Sequence, residues 1–275
     1  MNTIIFPTDF SETADNALQT AKNVAKNTNA TIHLCHFYTL VLNNYTAPES
    51  MIPLELLDDI KVSAVNEINK MKEALVLEGF KVESTVNGGD LVLEILDLAE
   101  NTHADLIVMG TTGANNFINK LIGSNALSIM QKSKCPVILV PNNYKNKTSI
   151  DKIVFADHFD VDNSQIIQEI ANFADKMQVS AVDVLSVNTD YNFNVINDTQ
   201  TIDSLVNTLG ENKVKLNFVE AANFVDGFKQ YAENHQVDLL IMSTRKKTLL
   251  QRLFTDSQTK LMAEHGQTPL MIYHI

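Results

Sequence analysis

The sequence has few of the features that mark several common protein classes. Its 21 lysine and arginine residues face 33 aspartate and glutamate residues, giving a formal net charge of −12 at pH 7. This acidic balance argues against a surface for nucleic acid or anionic membrane. No apolar run approaches the roughly 20 residues of a membrane-spanning helix, and the first residues, MNTIIFPTDF, lack the basic start and long apolar core of a signal peptide. We therefore expect a cytoplasmic protein, although backbone amides could still bind a small anion.

Cysteine is nearly absent. Cys35 and Cys135 each lie in or beside an apolar run, without a CxxC pair or metal-ligand spacing. This placement is typical of small buried hydrophobic residues in a reducing compartment, so we predict neither a disulfide nor a metal site. His33 and His36 have no visible cluster of partners, and we interpret them as packed or edge residues rather than ligands.

The motifs of common phosphate-transferring enzymes are also missing. The chain contains neither a Walker A sequence (GxxxxGK[ST]) nor a Rossmann GxGxxG. No lysine is placed by a motif to reach a γ-phosphate, and no general base can be named for an attacking water. Ser124 lacks the GxSxG surroundings of a nucleophile. We therefore predict no catalytic residue and favour a binding protein with at most slow hydrolysis.

What the sequence does contain is a regular alternation of apolar strands and amphipathic helices. This order predicts an α/β fold with a doubly wound, mostly parallel sheet, in which ligands bind at the carboxyl ends of the strands. Asp9, Gly88 and the stretch from Gly110 to Ser124 follow predicted strands and would share that edge. The strands predicted in the first half are residues 3–7, 31–38, 81–87, 105–109 and 135–140.

The same pattern starts again after the polar segment 142–149 (NNYKNKTS). With an offset of 133 residues and no gap, Asp105 aligns with Asp238, and Pro136 aligns with Pro269. We therefore predict two tandem domains, 1–142 and 150–275, each with a five-stranded sheet flanked by helices. The strands predicted in the second half are residues 152–156, 179–187, 214–219, 238–242 and 268–273.

Residues 105–124 contain the most informative loop. A buried strand leads through Gly110, Gly113 and Gly123 to a helix that Ser124 opens. Such a loop can bind phosphate, because backbone N–H groups point at the anion and the helix dipole adds partial positive charge. The alternative is that these glycines only make turns.

Three stretches together resemble the universal stress protein family: PTDFSETA at residues 7–14, the pair His36-Phe37, and the spacing G-x2-G-x9-G-S from Gly110 to Ser124. The resemblance covers both halves, as in tandem members, but the motif is complete only in the first. It implies a Rossmann-like fold of the adenine nucleotide alpha hydrolase type. It also implies a stress-response or signalling protein that binds ATP, ADP or AMP, with or without Mg²⁺ at the phosphates.

The resemblance also implies roles for single residues. Thr8 would line the cleft, Asp9 would contact the adenine or ribose end, and Phe37 would offer backbone groups to the adenine. A role in capping the first helix is the alternative for Asp9. Gly110 would pack under the ribose, and the phosphates would be bound by Gly113, Gly123, Ser124 and the amide of Asn125.

The second half departs from this pattern. Ser243, Lys246 and Asp256 stand where the first half has its three glycines. A carboxylate repels phosphate, so we expect a degenerate site there, and we interpret the basic residues 245–247 as a solvated loop or a different anion site.

Partners and alternative functions follow from the same reasoning. In the family, domains commonly pair through their last strands, so residues 137–140 and 270–273 would form an internal pseudo-dimer, and a homodimer of chains stays open.

Two alternative functions remain. One is a nucleotide-independent interaction module with a vestigial pocket, and the other is a weak ATPase.

Overall fold

Strands and helices alternate along the chain as the apolar spacing predicts. The structure is a computed structural model, which describes residues 1–38, 54–111, 123–144, 149–156, 164–188, 199–244 and 268–274. The elements of the first half are β1 (Thr3–Pro7), α1 (Glu12–Thr28), β2 (Thr31–Tyr38), α2 (Leu54–Leu77), β3 (Val82–Gly88), α3 (Leu91–Asn101), β4 (Leu106–Gly110), α4 (Ser124–Lys132) and β5 (Val137–Val140). The predicted strands therefore exist, with bounds that shift by one or two residues.

The second half repeats this order as far as it is described, and its first two helices are shorter than their counterparts. Its elements are β6 (Lys152–Ala156), α5 (Ser164–Lys176), β7 (Ala181–Asn188), α6 (Thr199–Leu209), β8 (Val214–Glu220), α7 (Phe224–Asn234), β9 (Leu239–Thr244) and β10 (Leu270–His274). A short 3₁₀ helix, Glu211–Lys213, precedes β8 and was not predicted. Among the described residues, no helix is long and apolar enough to cross a membrane.

Local signals explain where the first helix begins and ends. The hydroxyl of Ser11 accepts a hydrogen bond from the amide of Ala14 at 3.3 Å, which makes Ser11 the N-cap, as predicted. Asn29 ends α1 in the left-handed conformation, with φ of 56°. The buried alanines of the helix, including Ala17 and Ala21, let it pack closely on the sheet.

The ten strands form one continuous sheet in the order β3-β2-β1-β4-β5-β10-β9-β6-β7-β8. Each half contributes five strands, as predicted, and the pairing of β5 with β10 joins the two sets into one sheet. Within each half the strands are parallel, whereas β5 pairs antiparallel with β10. This pairing confirms that the last strands of the two halves meet within the chain.

The joint between the halves is nearly symmetric. Ile138 pairs with Met271, and the 133-residue offset makes these two residues counterparts. Helices α1 and α5 pack into the same hydrophobic cluster on one face of the sheet, while α3, α4 and α7 pack on the other. The halves are therefore related by a pseudo-two-fold axis perpendicular to the sheet. Because the joint is antiparallel, the carboxyl ends of β1–β5 and those of β6–β10 lie at opposite edges.

Each half has an aspartate at the same position that accepts two backbone amides. Asp105 Oδ2 accepts the amides of Asn2 and Thr3, at 2.6 and 3.0 Å. Its counterpart, Asp238 Oδ2, accepts the amides of residues 151 and 152, at 2.9 and 2.8 Å. Each carboxylate thus holds the start of the first strand of its half against the start of the fourth.

A buried polar cluster distinguishes the second half. Asp183 is only 2% exposed, and its Oδ2 accepts hydrogen bonds from the Tyr231 hydroxyl and from Lys152 Nζ, the latter at 2.6 Å. Burial, together with the neighbouring Asp183, raises the pKa of Tyr231. The strand register gives Asp183 the position that His33 has in the first half. The sequence analysis did not anticipate this cluster.

Replacing both Ile138 and Leu139 with lysine tests the joint. Both side chains are fully buried, on opposite faces of β5. An uncompensated buried ammonium group costs about 3–5 kcal/mol, so we expect the halves to separate or unfold, measured by thermal denaturation and small-angle scattering. Leu216→Lys is the control, because Leu216 is 37% exposed on the edge strand β8 and should change stability by only about 0.5 kcal/mol. Unchanged stability of the double variant would contradict the joint.

Candidate functional site

The turn between β1 and α1 is held by its own polar groups. The amide of Thr8 donates to the carbonyl of Cys35 at 2.9 Å, which extends the pairing of β1 with β2. Thr8 Oγ1 accepts the amide of Phe10 at 3.0 Å. Asp9 Oδ1 accepts both the amide and the hydroxyl of Ser11, at 3.1 and 2.6 Å. The alternative interpretation made Asp9 a cap of α1. In the structure Ser11 is the N-cap, and Asp9 holds Ser11 in place.

His36 joins this turn from the neighbouring strand. Its Nδ1 lies 2.8 Å from the carbonyl oxygen of Thr8; a carbonyl can only accept, so Nδ1 carries the hydrogen. The rings of His36 and Phe10 lie with their centroids 4.6 Å apart. His36 is thus a packed residue, as interpreted, but its hydrogen bond to Thr8 was missed. Only the placement of the HF pair at the end of a strand could have suggested it.

His33 lies on the other face of β2, away from this turn. Its Nε2 is 2.8 Å from Thr85 Oγ1, and its Nδ1 is 3.4 Å from a carboxylate oxygen of Glu83. Burial lowers the pKa of His33. In the described part of the chain, no group of three or more histidine, cysteine, aspartate or glutamate side chains is placed to hold a metal ion.

Gly110 ends β4 directly beneath the first turn of α1. A Cβ atom at this position would lie 2.6 Å from Thr13 Cγ2 and 3.3 Å from the Thr13 carbonyl oxygen. Real Cβ atoms do not approach so closely, so any larger residue would push α1 away from β4. Gly110 therefore has a packing reason to be glycine, whether or not a ligand binds beside it.

A single hydrogen bond brings the start of α4 to the end of β4. The amide of Gly123 donates to the carbonyl of Thr111 at 2.6 Å, and the amide of Thr111 donates to Val140 at 3.0 Å. Gly123 is the N-cap of α4, and no described side chain caps this end of the helix. Ser124 and Asn125 are exposed in the first turn, which carries no acidic residue. Helix N-termini of this kind suit anions.

The predicted site residues thus gather at one edge of the sheet. Thr8 and Asp9 follow β1, Gly110 ends β4, and Thr111 connects β4 to α4. Strands β1 and β4 are neighbours, so these groups adjoin one another. Phe37 lies near the end of β2, the other neighbour of β1, with only 6% of its surface exposed. Gly113 lies outside the described residues.

The second half differs where it can be compared. Ser243 takes the place of Gly110, and its hydroxyl is buried without a hydrogen-bond partner among the residues that the structure describes. This serine puts a Cβ and a polar atom where the first half leaves room for Thr13. The predicted counterparts of the other glycines, Lys246 and Asp256, lie outside the described residues, as does the basic group 245–247.

The substitution Gly110→Ala tests the packing of α1 on β4. We expect it to lower the free energy of unfolding by about 1–3 kcal/mol, because the new methyl group overlaps Thr13. Adding Thr13→Ser, which removes Cγ2, should restore part of the loss. Urea denaturation of the two single variants and the double variant gives the coupling energy. Simple additivity of the two effects would contradict the contact.

Comparisons with known proteins point to one protein family. Residues 1–141 match the universal stress protein family. Two universal stress proteins of Methanocaldococcus jannaschii are similar to half of the chain: one is 30% identical over 138 residues, covering 50% of this chain and 80% of its own. The other is 31% identical over 150 residues, covering 50% of this chain and 93% of its own.

A solved structure extends the likeness of fold to both halves. A universal stress protein from Archaeoglobus fulgidus has a TM-score of 0.76 at 19% identity, covering 99% of this chain and 96% of its own. The match over residues 1–141 spans more than half of the 275 residues. The chain therefore belongs to the universal stress protein family.

Proposed function

We propose that the first half binds ATP or a related adenine nucleotide at the carboxyl edge of β1, β2 and β4, as a stress-response or signalling protein. The observation that carries this proposal is the N-terminus of α4. Its first turn has no acidic residue and, within the described part of the chain, no capping side chain, and the Gly123–Thr111 hydrogen bond holds it at the end of β4. Backbone amides in this arrangement favour a phosphate chain.

The direction of the ligand follows from charge. The phosphates would lie at Gly123, Ser124 and Asn125, with Gly113 completing the loop. The carboxylate of Asp9 belongs at the other end, because it would repel phosphate but can accept hydrogen bonds from ribose or adenine. Thr8, the backbone of Phe37 and Gly110 would line that end.

For the second half we propose a structural role with a degenerate site. Ser243 has a side chain where the first half has Gly110 packed against Thr13, and Asp256 would bring a negative charge to the position of Gly123. The carboxyl ends of the strands in the second half also lie at the opposite edge of the sheet from those in the first half. The two sites therefore could not share one nucleotide.

We keep four features as predictions: the domain boundaries at residues 142 and 150, the cytoplasmic location, a Mg²⁺ ion at the phosphates, and the pairing of two chains. We propose no catalytic residue, because the sequence carries no motif that places a lysine at a γ-phosphate or a base for an attacking water.

The substitution Gly123→Asp, compared with Gly123→Asn, tests nucleotide binding. Both new side chains can cap α4, so both variants should keep or gain thermal stability. Only aspartate adds a charge. From the repulsion of unit charges about 5 Å apart at an effective dielectric constant near 20, we expect Gly123→Asp to weaken ATP binding on the order of 100-fold. Isothermal titration of nucleotide-free protein with ATP, AMP and adenosine measures this.

The pattern across ligands makes this test sharp. The loss with Gly123→Asp should be largest for ATP and small for adenosine. It should exceed the loss with Gly123→Asn, whose side chain competes for the same helix amides but adds no charge. The proposal fails if the unaltered protein binds none of the three ligands, or if the aspartate and asparagine variants bind ATP equally well.

A further inference from the structure

The turn that would face the adenosine end has an unusual backbone. Phe10 has φ of 61°, in the left-handed region that non-glycine residues rarely adopt. Such a conformation persists where neighbouring groups hold it. Asp9 lies between Phe10 and Thr8, so the position of its backbone depends on how both neighbours are fixed. Its carboxylate is then held by the amide and hydroxyl of Ser11.

Thr8 is fixed through each of its polar groups. Its amide donates to Cys35 and its hydroxyl accepts from Phe10, while its carbonyl accepts from His36 Nδ1 at 2.8 Å. The first contact is part of the sheet and the second is internal to the turn. The third comes from a side chain on β2, which ties the turn to the neighbouring strand.

His36 also contacts Phe10. Their ring centroids lie 4.6 Å apart with the planes tilted by 33°. One imidazole therefore holds both flanks of Asp9: the carbonyl before it and the aromatic ring after it. Residue 36 directly precedes Phe37, whose backbone belongs to the same end of the proposed cleft.

We propose that His36 is a positioning residue for nucleotide binding: it holds Thr8 and Phe10 so that Asp9 is presented to the adenosine part of the ligand. This inference rests on the proposed function. His36 acts through Asp9 and does not touch the phosphates. Its loss should therefore weaken adenosine, AMP and ATP by the same factor.

The substitution His36→Leu removes the hydrogen-bond donor. We expect each of the three ligands to bind about tenfold more weakly, which is typical for the loss of one hydrogen bond. His36→Asn retains an N–H donor near the position of Nδ1 and should recover a large part of the affinity for all three ligands. Titration calorimetry measures the affinities, and thermal unfolding measures stability in parallel.

His33→Asn is the matched control, because His33 is a histidine of the same strand on the opposite face. It should lower thermal stability without changing any of the affinities. Phe10→Asn is a second test if His36→Leu does not fold. Asparagine tolerates the left-handed conformation but lacks the ring that contacts His36, so it should also weaken the three ligands equally.

The outcomes separate the two proposals. If the unaltered protein binds no adenine nucleotide, the proposed function fails and the role of His36 fails with it. If the unaltered protein binds but His36→Leu, or Phe10→Asn in its place, binds equally well, only the role of His36 is overturned. A loss that grows with the number of phosphates would also overturn it, since His36 would then act on the other end of the ligand. Equal losses for the three ligands, with recovery in His36→Asn, would support it.

Discussion

The antiparallel pairing of β5 with β10 is the contact on which the arrangement of the whole chain depends. It buries Ile138 against Met271 at the centre of a ten-stranded sheet. Without this pairing, each half would expose a short apolar edge strand, which invites association with other chains. The pairing also sets the direction of every other strand, because each half is parallel within itself. The carboxyl edges of the two halves therefore face away from each other.

The two carboxyl edges also differ in the residues that they carry. The first half gathers Asp9, Gly110 and the start of α4 at its carboxyl edge, where parallel sheets commonly bind ligands. The second half keeps the carboxylate that holds its first strand, Asp238, but replaces Gly110 with a serine. Features that maintain the sheet have thus been retained in both copies, whereas the glycine that adjoins the proposed site has not.

The glycines show how one residue can satisfy both fold and site. Gly110 is needed because Thr13 lies against it, and the proposed ligand would lie beside the same residue. Gly123 supplies an amide that closes onto Thr111 and leaves the next amides of α4 without a side-chain cap. If the glycine motif is interpreted only as a ligand signature, the packing of Thr13 on Gly110 is overlooked. If it is interpreted only as turns, the uncapped amides of α4 are overlooked.

The sequence was sufficient for a large part of this description. The alternation of elements and the Ser11 cap follow from local patterns, because helix and strand periodicity are properties of neighbouring residues. The repeat followed from aligning the two halves at an offset of 133 residues, and the family from the resemblance of three motifs. The rule that the carboxyl ends of parallel strands share one edge also predicted that Asp9, Gly110 and Ser124 lie together. What the tertiary structure decided are the contacts between distant residues. They are the antiparallel direction of the joint, the opposite edges that follow from it, the close packing of Thr13 on Gly110, and the hydrogen bond from His36 to Thr8. The buried Asp183 cluster belongs to the same group. Each depends on the register and direction in which separate elements pack, and no periodicity along the chain specifies these.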